Sequence, residues 1–107
     1  VANIGKLVPN DHGTHVAGVI AAVNNNGKGV SGIAGGNGKS GSGVKLMSCQ
    51  IFVDENDPYS ENAGRNAAAA IKYAADNGAV ICQNSWGYPS LTEIPASDKA
   101  AIDYFIH

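Results

Sequence analysis

The sequence predicts an α/β fold built on a parallel sheet, and three features carry that expectation. Two apolar runs, 44–53 and 79–83, are too short and too uninterrupted for surface helices and read as buried strands. Alanine- and valine-rich segments with helical periodicity flank them on both sides. The resulting order is helix, strand, helix, strand, helix, which calls for right-handed crossovers and a parallel sheet.

The first helix is expected from Gly13 to about Asn24. Val16, Val19, Ile20 and Val23 recur at three- and four-residue spacing, and Asp11 stands before them as a cap suited to the positive helix end. "NNNGKG" stops this helix, and "GGNGKSGSG" reads as a flexible loop. After the first strand, "DENDPYS" is a polar, turn-rich loop, and Ser60 or Asn62 caps an alanine-rich helix with Ala67, Ile71 and Ala74 on one face. Asn77–Gly78 ends it. The second strand follows, then the loop "WGYPS", then a third helix from Ala96. In such sheets the working residues gather at the carboxyl ends of strands, here near Phe52 to Asn56 and Ser85 to Gly87.

Composition excludes several classes. A net charge of -2 offers no basic face for phosphates, so nucleic acid is not an expected partner. No apolar run is long enough to suggest a membrane span, and no charged-then-apolar leader is visible. The chain opens at Val1 and closes inside a helical pattern, which reads as a segment of something longer. Cys49 and Cys82 each sit within an apolar run and read as small buried side chains. A disulfide between them would require close Cα atoms, and no further cysteine completes a zinc set.

The stretch "DHGTHVAG", Asp11 to Gly18, poses the chemical question. As a metal pair, His12 and His15 lack a third ligand and the usual i, i+4 spacing with an intervening glutamate. "GIAGGNGKS" fails as a phosphate loop: five residues, not four, separate Gly32 from Gly38, and a strand-like run follows Ser40. A nucleotide binder is therefore the weakest reading. As a general base, His12 at a helix start is chemically apt, because an imidazole exchanges protons near neutral pH once an acid fixes its tautomer. Gly13 leaves the first turn open to a substrate. A solvated or structural histidine is the plain alternative.

The string "HGTHVAG" resembles the histidine signature of the subtilases, the subtilisin-like serine proteases. The likeness continues through "VIAAVNNNGKGVSGIA", "VKLMSCQIF" and "NAAAAIKYAADNGAVICQNSWG". It implies a three-layer parallel-sheet subtilisin-like fold, of which residues 1–107 form a partial catalytic domain. It implies that His12 is the general base and His15 a packing residue. Ser85, Trp86 and Gly87 resemble the segment that pairs with the substrate backbone and walls its pocket, an added-strand mode in which main-chain bonds supply affinity. Phe52 resembles a position lining the neighbouring subsite, and Trp86 is equally intelligible as an anchoring aromatic. Asn24 and Asn25 resemble a calcium-binding loop in some subtilases. The chemistry requires no cofactor, and structural calcium is unsupported by further ligands here.

The resemblance also shows what is missing. The family's aspartate comes well before its histidine and its serine well after, and neither the G-T-S-M-A motif nor any G-x-S-x-G occurs. Asp11, adjacent to His12, cannot orient its ring. The expectation is a serine endopeptidase in the intact protein, secreted or in the cell envelope, acting on peptide or protein substrates. This segment would supply the base and part of the cleft and be inactive alone. The alternative is a non-catalytic peptide-binding module on the same fold. With the triad-aspartate strand absent, strand edges would pair directly or recruit the remainder of the protease chain or a second copy.

Overall fold

Asp11–Ala21 forms the first helix, α1, beginning two residues before the expected start and ending short of Asn24. The computed structural model describes residues 11–52, 66–87, 90 and 93–107. They fall into two units, Val1–Ser48 and Cys49–His107.

In the first unit Asp11 is the opening residue of α1, not a cap outside it, and its carboxylate accepts the His12 N–H at 2.7 Å. The last carbonyls of a helix have no intrahelical donors, and here a returning loop supplies them. Ile33 N–H donates to Val19 O at 2.9 Å, Ala34 N–H to Ile20 O at 2.7 Å, and Gly32 N–H to Ala22 O at 2.9 Å. The approach is so close that a Cβ on Gly35 would lie 1.8 Å from Ala22 O, and one on Gly32 2.4 Å from Ala22 N. Glycine is required at both places because nothing larger fits. The apolar stripe of α1 is only partly covered: Val16 and Ile20 are half-buried, while Val19 and Val23 stay more than half exposed.

The second unit is a helix pair. α2, Ala67–Asp76, is capped by Asn66, whose Oδ1 accepts the Ala69 N–H at 2.8 Å. Ser60 and Asn62, the expected caps, lie outside the described residues. The stop at Asn77–Gly78 is as expected. Gly78 takes φ +82°, its N–H donates to Ala75 O, and Ala79 N–H donates to Ala74 O at 3.0 Å. That is the double bond pattern of a glycine-terminated helix. α3, Ala96–Ile106, starts where expected, after Pro95.

Ala67, Ile71 and Ala74, the face expected to be apolar, are the buried residues of α2, and Ala101 of α3 is buried with them. The two helices pack against each other. Tyr104, near the end of α3, donates its hydroxyl to Asp76, at the end of α2, at 2.7 Å, while Asn66 and Ser97, at the two helix starts, both line the groove between the helices. Lys72 pairs with Asp76 at 2.6 Å and lies 4.7 Å from the centre of the Tyr104 ring. These contacts hold the Asp76 carboxyl below its ordinary range, the Lys72 hydrogen bond first and the Tyr104 bond second.

The α/β expectation is corrected. Among the described residues there is no strand and no sheet, so the order of helix, strand, helix, strand, helix and its three-layer parallel sheet give way to three helices joined by extended and turn segments. The reason is pairing. An apolar run becomes a strand only when a neighbouring run meets its N–H and C=O groups, and neither 44–52 nor 79–87 has such a ladder. Nor are their apolar side chains covered: Leu46 is 52% exposed, Val80 89% and Ile81 79%. Val53 lies outside the described residues.

Candidate functional site

His12 occupies the first turn of α1 and is exposed, with its backbone N–H fixed to the Asp11 carboxylate. An added Cβ at Gly13 would meet nothing within 4 Å. The first turn of α1 therefore has open space at Gly13. The Asp11 carboxylate accepts from the main chain of its neighbour. His15, one turn on, is also exposed rather than a packing residue within its unit. Among the described residues no group of three or more His, Cys, Asp or Glu is placed to hold a metal ion.

The loop after α1 carries Asn24 and Asn25. Asn25 adopts φ +56°, a left-handed conformation that asparagine tolerates better than most residues. Asn24 Oδ1 is buried without a hydrogen-bond partner, the kind of oxygen a hard cation would take. Calcium, however, takes roughly six to eight oxygens. One amide oxygen, without a cluster of carboxylates among the described residues, does not make that set.

In the second unit, Phe52 and Trp86 meet edge to face, with ring centres 6.2 Å apart at 74°. Such a contact adds about 0.5–1.5 kcal/mol beyond burial, and it brings together two positions singled out separately in the sequence. Phe52 stays 41% exposed and Trp86 half-buried, so the pair presents an accessible aromatic wall. Ser85 accepts a hydrogen bond from Gln83 Nε2 at 2.8 Å, and Gln50 Nε2 donates to Phe52 O at 2.9 Å. Both links join residues two apart, which share one side of an extended chain. Sequence reasoning passed over both glutamines, although their i, i+2 spacing to the site residues was the available signal. Gly87 is exposed, with open space where a Cβ would stand.

Cys49 and Cys82 are free and half-buried. Partial burial, and secondarily the neighbouring Cys82, push the Cys49 thiol up, which makes it a poorer nucleophile. Asn84 Nδ2 donates to Cys82 Sγ at 3.1 Å.

His12 thus lies in the first turn of α1 within "HGTH", and "NSWG" is an extended segment whose Trp86 meets Phe52. The family model of the subtilases matches residues 5–107, and the chain belongs to that family of proteases. Among curated proteins it is similar to fervidolysin of Fervidobacterium pennivorans, 39% identical over 85 residues that cover 71% of this chain and 10% of that protein. The chain thus spans about a tenth of the length of the relative it matches. No solved structure matches it.

Proposed function

We propose that the intact protein is a serine endopeptidase that cleaves peptide bonds through a Ser-His-Asp triad. This segment contributes the base and one wall of the cleft. The observation that carries the reading is the placement of His12: exposed on the first turn of α1, beside an unobstructed Gly13, within the family's own histidine motif. His12 accepts the proton of the attacking serine and returns it to the leaving amine. Ser85, Trp86 and Gly87 pair with and flank the substrate backbone, and Phe52, braced against Trp86, lines the adjoining subsite. The remaining triad members and the oxyanion donors come from the rest of the polypeptide, and the substrate is a peptide or protein. Location outside the cell or in its envelope follows from the family alone. No helix among the described residues is long and apolar enough to cross a membrane.

The 107-residue chain by itself does not hydrolyse peptides, because it holds neither the family's serine motif nor the segment that carries its aspartate, and a histidine alone cannot carry out acyl transfer. A fluorogenic peptide assay with a covalent serine-directed inhibitor tests this: inhibitor-sensitive burst kinetics from the purified chain would refute it. In the full polypeptide, His12→Ala lowers kcat by roughly a millionfold, and a loss smaller than tenfold would remove His12 from the role. A non-catalytic peptide-binding module is the second reading. It is favoured by the Phe52–Trp86 wall, which does not depend on the base. Full-length protein that retains peptide affinity but shows no turnover would select it. Exposed apolar side chains along 44–52 and 79–87 also leave room for self-association, which light scattering of the purified chain measures.

A further inference from the structure

Three asparagine–glycine pairs occur in the described residues, at Asn26–Gly27, Asn37–Gly38 and Asn77–Gly78, all with exposed asparagines. We propose that Asn26 and Asn37 are sites of spontaneous deamidation to aspartate and isoaspartate, and that the fold protects Asn77.

The reaction needs the backbone nitrogen of the following residue to reach the asparagine Cγ. That nitrogen gives up its proton to base and forms a bond to Cγ, and the tetrahedral adduct expels ammonia to leave a five-membered succinimide. Water then adds to either ring carbonyl. The net change is asparagine plus water to acid plus ammonia, with no redox partner. Glycine at the second position removes the Cβ that would hinder ring closure.

At Asn26 and Asn37 the geometry favours this path. Asn26 Oδ1 accepts the Lys28 N–H at 3.0 Å, and Asn37 Oδ1 accepts the Lys39 N–H at 3.1 Å. Each side chain is folded forward over the following peptide, and its carbonyl is polarised by the donor it accepts. Neither the Gly27 nor the Gly38 N–H has an acceptor among the described residues. Asn77 differs on both counts. Its Nδ2 points backward, donating to Tyr73 O at 2.8 Å, and the Gly78 N–H is held by Ala75 O at 3.1 Å in the closing turn of α2. Attack there requires surrendering the helix stop. The identical dipeptide is thus sorted by its local backbone structure, and full conversion at the two loop sites would take the formal charge from -2 to -4.

The test is incubation of the purified chain at mildly alkaline pH, followed by peptide mapping with mass spectrometry, in buffer and in parallel in concentrated urea. In buffer, Asn26 and Asn37 convert about fivefold or more faster than Asn77, the factor expected for giving up one net hydrogen bond of about 1 kcal/mol. In urea the three rates converge. Conversion of Asn77 in buffer as fast as either loop site, no conversion at the loop sites, or the same ranking with and without urea would each overturn the proposal.

Discussion

Replacing Gly35 by alanine is the sharpest perturbation the fold offers, because the new methyl group has one place to go and that place is occupied. The Cβ would stand 1.8 Å from Ala22 O and 2.9 Å from the carbonyl carbon, far inside van der Waals contact. The obstacle is backbone, so no side-chain rotation relieves it. The loop must therefore retreat from the end of α1 by more than an ångström. Three bonds depend on that approach: Gly32 N–H to Ala22 O, Ala34 N–H to Ile20 O, and Ile33 N–H to Val19 O. At about 1 kcal/mol net each, their loss costs about 3 kcal/mol. The stiffer unfolded chain of the alanine variant returns about 0.4–1 kcal/mol. The balance is roughly 2 kcal/mol, or about a thirtyfold loss of protection. Hydrogen exchange read by NMR at the Gly32, Ile33 and Ala34 amides measures it directly. If those amides exchange within threefold of the parent rate, the helix end is not closed by this loop and the reasoning fails.

Other outcomes follow from the same contacts. Gly18→Ala, inside α1 and with nothing within 4 Å of the added Cβ, raises helix content and stabilises its unit by about 1 kcal/mol; circular dichroism showing a loss would mean an unseen neighbour. Ile71→Ala removes the largest of the buried apolar side chains between α2 and α3. Its three lost carbons cost about 2.4 kcal/mol in transfer alone at ~0.8 kcal/mol each, read as a lower urea midpoint for the helical signal, whereas an unchanged midpoint would deny the pair a core. Asp76 has a depressed pKa, so its contribution is present above the unfolded value and fades as pH falls below about 4. Tyr104→Phe raises the Asp76 midpoint in an NMR titration, and no movement would discount the 2.7 Å bond.

Much of the helical structure was legible because its signals are local. Asn77–Gly78 ends α2 through bonds made within a few residues, and the face of Ala67, Ile71 and Ala74 follows from helical spacing alone. The histidine motif was equally legible, since His12, Gly13, Thr14 and His15 are contiguous. The strands were misread because apolarity indicates that a run seeks cover, and pairing is not encoded in the run itself. Segments 44–52 and 79–87 have the composition of strands and neither a ladder nor burial.

The sequence by itself determined the family, the helix periodicities, the glycine stop and the place of the histidine motif, all properties of neighbouring residues. Only the tertiary structure decided that residues 32–34 close the end of α1, that α2 and α3 are joined by the Tyr104–Asp76 bond, and that Phe52 meets Trp86. These contacts join residues far apart in the chain. Their formation depends on whether the gain in burial and hydrogen bonding exceeds the entropy of closing the intervening loop, a balance that no local pattern records.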